Sequence, residues 1–276
     1  MDKPEGPTSH DVVARARRVF RTRAVGHTGT LDPFATGLLI LVFGGATRLA
    51  RWAERHRKVY RADVRLGSIT ATDDRTGAVL EEKQPAHWPA PDRLEAAVAG
   101  MVGEQSQRPP VFSAKRVGGE RSHRLARRGA NPEPAAVLVR VFSLTLLDYA
   151  PPLVSLRAEV SAGTYIRALA RDLGQRLGTG AHLAELRRES IGPWQVADAI
   201  PLAGLTGAEP LLPARALVGD LQPVRLAPEE LARVANGRDV EREGPTAGEA
   251  ALLDGDRLVA VACAVPLGWH PVVVLP

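Results

Sequence analysis

The chain has 276 residues, one cysteine, and 36 basic against 31 acidic side chains, a net charge of +5. One cysteine excludes an intramolecular disulfide, and the seven histidines lack zinc-ligand spacing. There is no apolar run of 18 residues and no basic-then-apolar leader, so no membrane span or secretory signal is expected and a cytoplasmic location is. Only Lys3, Lys58, Lys83 and Lys115 are lysines. An Arg excess alongside abundant Ala, Gly and Pro fits genomic base bias as readily as a polyanionic partner, so the places where Arg clusters carry more information.

Taken in order, residues 9–21 predict an amphipathic helix: Ser9 is a plausible N-cap, and Val12, Val13, Ala16, Val19 and Phe20 fall on one face. Arg15, Arg17, Arg18 and Arg21 occupy much of the rest, a solvated face or a phosphate-contacting one. The glycine-bounded loop "GHTGTLDPFATG" (26–37) follows, and then "LLILVF" (38–43), short and apolar as a buried strand is. "GGATRLARWAERHRK" predicts helix, and "VYRADVRLG" (59–67) alternates as a half-buried strand. Residues 91–103 predict a helix. Residues 108–129 form a Gly- and Pro-marked, Arg-rich stretch, expected to be an exposed mobile loop followed by a short helix. "LVSLRAEV" (153–160) predicts a strand. Residues 165–178 predict a helix with Ile166, Leu169, Leu173 and Leu177 inward and Gly178 as its left-handed stop. Beyond Pro201 the composition shifts. Two short helical patterns lead to the strands "EAALLDG", "RLVAVACAV" and "PVVVLP", with a hairpin signal at 254–256. A boundary is placed near 220, giving a domain 1–220 with an insertion at about 108–129 and a small β-rich module 221–276.

There is no P-loop, no G-x-G-x-x-G opening a helix after a strand, and no G-x-S-x-G elbow. An enzyme with this sequence is expected to need neither metal nor organic cofactor. Among the carboxylates Asp32 has the most unusual setting. Pro33 pushes it toward an extended conformation, and Gly26, Gly29 and Gly37 permit close approach of a ligand to the backbone. Local chemistry leaves two readings open, a turn residue bonded to its own backbone or a reacting group.

"KPEGPTS" (3–9), "GHTGTLDPFATG" (26–37), "KVYRADVRLG" (58–67) and "SAGTYIRALARDLG" (161–174) stand in the order and approximate spacing of the TruB family of tRNA pseudouridine-55 synthases, which the chain resembles from residue 3 to about 200. "GSITATDDRTG", "RPPVFSAKR" and "GAHLAELRR" extend the resemblance. It implies a mixed α/β pseudouridine-synthase fold with a central mixed sheet, an RNA-binding cleft and a small C-terminal PUA-like β domain. It also implies an isomerase that detaches uracil from ribose and rejoins it through C5, in the T-arm of tRNA, after flipping the base out. By the same resemblance Asp32 is the nucleophilic carboxylate, Arg167 its partner, and Tyr165 a group lining the active site with a candidate role in proton handling. Tyr60 stacks on the flipped base, His27 fills the displaced nucleotide's space, Leu186 packs around the pocket, and Lys3 supports the Asp32 loop. Arg121, Arg124, Arg127 and Arg128 become candidate phosphate contacts in a thumb-like insertion. Arg116 and His123 depart from the pattern there, standing where Lys and Tyr are common. No obligatory protein partner is expected, and the chain is expected to be a monomer. Two other functions stay open: a tRNA-folding helper in which catalysis is secondary, and a synthase with another RNA target.

Overall fold

The structure is a computed structural model and describes residues 1–83, 85–242 and 247–276. The chain divides into two compact units: Met1–Thr8, Leu31–Leu38 and His56–Ile200 form the first, and Ser9–Thr30, Leu39–Arg55 and Pro201–Pro276 the second.

The first unit is built on a mixed sheet. Its strand order is Asp2–Lys3, Thr36–Leu38, Ala181–Ile191, Lys58–Leu66, Leu153–Val160, Val137–Ala150, Gly103–Gln107, with Trp194–Gln195 added beside Ala181–Ile191. Every pairing is antiparallel except that of Thr36–Leu38 with Ala181–Ile191. The alternation seen in the sequence of Lys58–Leu66 has its expected consequence. Tyr60, Ala62, Val64 and Leu66 face a buried core, while Arg61 and Arg65 are exposed. Val154, Leu156, Ala158 and Val160 extend the same buried face. The helix Ile166–Leu177 closes over it with Ile166, Leu169, Leu173 and Leu177, and ends at Gly178, whose φ of +74° is the left-handed stop that glycine adopts without a Cβ penalty. The helix Pro91–Ala99 adds Leu94 and Val98.

Two strands of this sheet escape a reading by periodicity. Ala181–Ile191 carries Ala, Leu, Glu and Arg, all good helix formers, yet it is a central strand paired along nearly its whole length with Lys58–Leu66, with register shifts at Leu183/Glu185 and Arg188/Ser190. Burial on both sides overrides local preference there. Val137–Ala150 alternates inward and exposed positions, but register shifts at Val141/Ser143 and Leu146/Asp148 break the period. The apolar run 38–43, expected as one strand, is divided. Thr36–Leu38 joins the main sheet, whereas Leu41–Phe43 pairs with Val25–His27 in the second unit. A continuous apolar run does not encode the point where a chain changes sheets.

The second unit holds the helix Ser9–Val19, with Val12, Val13 and Ala16 buried, and a five-stranded sheet ordered Gln222–Arg225, Glu249–Asp254, Arg257–Val265, Gly268–Val274, Val240–Glu241. The hairpin turn is Gly255–Asp256, as the D-G signal implies. Leu252, Ala260, Ala262, Trp269 and Val234 of the helix Pro228–Ala235 make its core.

Candidate active site

Asp32 sits on the four-residue connection between Leu31, buried in the core of the first unit, and the strand Thr36–Leu38. The connection is a closed turn, with the Ala35 N–H donating to the Asp32 carbonyl at 3.1 Å. Its far side is tied to the N-terminus. The Pro33 carbonyl accepts from the Gly6 N–H at 2.9 Å and from Lys3 Nζ at 3.2 Å. Lys3 Nζ also donates to the carbonyls of Pro4 (2.8 Å) and Pro7 (2.9 Å), so all three of its protons are used. Lys3 is fully buried, and burial pulls its ammonium below the ordinary lysine value, against the opposing pull of Asp32 and Glu5. The backbone after the turn is equally constrained. Gly37 has φ +104°, and a Cβ there would lie 2.3 Å from the Arg188 carbonyl oxygen, so the parallel pairing of Gly37 with Arg188 admits only glycine.

Arg167, in the first turn of the helix Ile166–Leu177, meets Asp32 with two nitrogens. Nε lies 3.0 Å from Asp32 Oδ2 and Nη2 3.3 Å from Oδ1, the planar fork geometry of an Arg–carboxylate pair. Its other bonds hold the guanidinium in one orientation. Nη1 donates to the Thr72 carbonyl (2.9 Å) and lies 3.3 Å from Asp74 Oδ2, and Nη2 donates to the Phe112 carbonyl (3.0 Å). The Arg167 and Asp74 side chains are 7 % and 5 % exposed, whereas 35 % of the Asp32 side chain stays open. Asp32 is therefore the accessible end of a buried charge network. Burial raises its carboxyl above the usual aspartate value, and Arg167 opposes that rise without cancelling it.

Asp74 and Gln107 are the site residues that sequence reading missed. Asp74 Oδ1 accepts from Thr72 Oγ1 (2.7 Å), the Thr76 N–H (2.9 Å) and Thr76 Oγ1 (2.6 Å), which leaves Oδ2 for Arg167. The "TATDDRT" composition was the available signal: two adjacent carboxylates among threonines, of which Asp73 takes Arg171 (2.8 Å). Gln107 is 1 % exposed and brackets the backbone of Tyr165, accepting its N–H at 2.9 Å and donating to its carbonyl at 3.1 Å. Nothing in the local sequence distinguishes that glutamine. Burial pushes the Tyr165 phenol above its usual range, with Arg167 opposing.

Lys3, Asp32, Tyr60, Tyr165, Arg167 and Leu186 all belong to the first unit. Tyr60 and Leu186 are each 7 % exposed and lie in the same cluster as Leu31, Phe34 and Ile166, so they are core residues first. His27 belongs to the second unit, on the strand Val25–His27, with its ring edge-on to His10 at 5.5 Å. The segment 108–129 contains a short hairpin, Arg116–Val117 with Glu120–Arg121, and the helix Ser122–Arg127. Arg121, Arg124 and Arg127 are exposed, and Arg128 forms an ion pair with Glu120 at 2.5 Å. Among the described residues no group of three or more His, Cys, Asp or Glu could hold a metal ion, and no helix is long and apolar enough to cross a membrane.

Residues 17–166 match the TruB family pseudouridylate synthase N-terminal domain, and 167–222 the tRNA pseudouridylate synthase B C-terminal domain. The chain is 42 % identical to a tRNA pseudouridine synthase B of Solibacter usitatus, covering 100 % of this chain and 98 % of that protein. It is 41 % identical to the Thermobifida fusca protein of the same name, over 95 % and 92 % of the two chains. Among solved structures it resembles a Cbf5–Nop10–Gar1 complex (TM-score 0.77, 26 % identity) and an H/ACA RNP bound to a substrate RNA containing 2'-deoxyuridine (TM-score 0.76, 25 % identity); each match covers 100 % of this chain and 84 % of the other. With its core motifs, its mixed sheet and the Asp32–Arg167 pair assembled in one unit, this chain belongs to the TruB family of pseudouridylate synthases.

Proposed function

We propose that the chain converts the T-loop uridine of tRNA, position 55, to pseudouridine. The observation that carries this reading is the two-pronged Arg167–Asp32 contact, made by a buried guanidinium to a carboxylate that stays accessible. The reaction breaks the N1–C1' bond, forms C5–C1', releases the C5 proton and returns a proton to N1, so it is redox-neutral and consumes no water. Its central need is an ionised carboxylate beside the glycosidic bond, as attacker or as stabiliser of positive charge on the sugar. Arg167 aims that carboxylate, and Lys3 and Gly6 hold its loop by the Pro33 carbonyl. Tyr165 is the candidate for proton handling. A uridine stacked in a folded T-arm must be extruded first. Tyr60 and Leu186 would frame the uracil, and their membership in one cluster with the residues preceding Asp32 and Arg167 supports that role. His27 would occupy the vacated space, while Arg121, Arg124 and Arg127 bind phosphates. The strands after residue 221 would act as a PUA-like module on the same RNA. The protein works as a monomer in the cytoplasm.

The test is tritium release from an unmodified tRNA transcript labelled at uridine C5. Wild-type protein is expected to release one label equivalent, and a transcript with T-loop uridine replaced by cytidine none. Asp32→Asn is expected to bind tRNA and release nothing. Release from the cytidine-substituted transcript would refute the assigned position, and release by Asp32→Asn at the wild-type rate would refute the assigned nucleophile.

A further inference from the structure

Arg167 Nη2, which touches Asp32 Oδ1, also donates to the carbonyl of Phe112. Phe112 is the middle of a short strap at the base of the basic insertion, and both its neighbours are held by the first two residues of the insertion's helix. Ser122, fully buried, donates its hydroxyl to the Val111 carbonyl. The Ser113 carbonyl is met twice by His123, by its backbone N–H at 3.1 Å and by ring Nδ1 at 3.0 Å. Facing a carbonyl, Nδ1 carries the proton. The Ser122 N–H donates to the Lys115 carbonyl at 2.7 Å and closes the loop. The same helix then presents Arg124 and Arg127 to solvent.

We propose that Ser122 and His123 are positioning residues: by clamping the 111–113 strap they set the Phe112 carbonyl, and with it the angle at which Arg167 presents Asp32. The inference rests on the activity proposed above. A helix that grips RNA with one face and the strap with its N-terminal residues makes correct orientation of the reacting pair depend on that segment's seating. Such a link is expected to act on the chemical step rather than on tRNA affinity, because the strap bonds join protein groups to one another and lead to Arg167. His123 holds the strap with a ring N–H in either its neutral Nδ1–H form or its charged form.

Steady-state tritium release separates the roles. His123→Phe keeps a flat ring without the donor and is expected to lower kcat by about fivefold to tenfold, the size of one lost hydrogen bond, with KM for tRNA within about twofold. Ser122→Ala is expected to behave likewise. His123→Asn places an amide N–H where Nδ1–H stood and is expected to recover most of kcat. If His123→Asn is as slow as His123→Phe, or if KM rises while kcat is unchanged, the proposal is overturned. Two readouts stand apart from catalysis. Nitrogen-15 NMR of wild-type protein should show His123 protonated at Nδ1, and His123→Phe should speed exchange of the Arg167 guanidinium protons; a neutral Nε2–H tautomer or unchanged exchange overturns the clamp. Wild-type protein that releases no tritium refutes the proposed activity, and the NMR outcomes still decide the strap.

Discussion

At the scale of single residues the site is a question of which charges are held in place and which is left to react. Arg167 spends its donors on Thr72, Phe112, Asp74 and Asp32, and of the two carboxylates it meets only Asp32 stays partly open. The rise in the Asp32 carboxyl has two consequences with opposite signs. If the ionised form reacts, kcat/KM falls on the acid side as pH drops through a value above that of an ordinary aspartate, which is about 3.9. A pH–rate profile of free enzyme should therefore bend above that value; a plateau extending below it would show that Asp32 is not the limiting ionisation. For stability, the folded state holds its proton more tightly than the unfolded state. Between the two pKa values stability therefore falls as pH rises, and above them the ionised carboxylate remains a cost. Asp32→Asn removes that cost and leaves Arg167 its Asp74 partner, so at neutral pH its Tm is expected to equal or exceed that of wild type. A large drop in Tm would mean that Asp32 chiefly serves folding. Arg167→Lys keeps a charge but loses the fork and is expected to reduce kcat ~100-fold with tRNA binding retained, measured by single turnover.

At the scale of elements, the loop that carries Asp32 is held by the strand that follows it and by the N-terminal segment bonded to Pro33. Thr36–Leu38 is short, but it is wedged between Asp2–Lys3 and Ala181–Ile191, and its register depends on backbone approaching backbone at Gly37. Gly37→Ala meets a backbone oxygen and demands a φ that alanine rarely adopts. It is expected to destabilise by at least about 2 kcal/mol and to lower kcat, because any relief must move the turn holding Asp32. Urea titration measures the first and tritium release the second; unaltered values for both would mean the strand slides without disturbing the site. The helix Ile166–Leu177 is anchored differently, through Leu169, Leu173 and Leu177 in the core and Gln107 on the Tyr165 backbone. Arg167 thus projects from an element fixed at both its apolar face and its first turn.

At the scale of the molecule, a net charge of +5 is a small excess spread over many arginines, several of them paired with carboxylates. The charge available to RNA is local. In the basic insertion Arg121, Arg124 and Arg127 are exposed, and Arg128 already has Glu120. Each of the first three, replaced by Ala, is expected to lower the slope of log affinity against log salt by about one, and Arg128→Ala by less, since its ion pair already offsets its charge. Slopes unchanged from wild type in all four variants would place the RNA contact elsewhere.

How much of this was legible beforehand follows from what each residue's environment depends on. Helices 9–21 and 165–178, the strand at 59–67 and the C-terminal hairpin could be read because alternation, helical spacing, Gly178 and the D-G turn are local patterns with local causes. The motifs around Asp32, Tyr60, Arg167 and Lys3 were legible through their order, which marks the family, while the geometry joining Asp32 to Arg167 across 135 positions was not. Ala181–Ile191 could not be recognised as a central strand, since its residues favour helix and only burial between two neighbours makes it extended. Gln107 was invisible, and Asp74 marked only by its setting among threonines, for a similar reason: a buried carboxylate and a buried amide acquire their roles from partners brought close in space. The sequence by itself therefore determined the locally patterned elements, the family and the residue types that chemistry requires. Only the tertiary structure decided which carboxylate is open and which is buried, because desolvation and charge pairing depend on distance through space and not on distance along the chain.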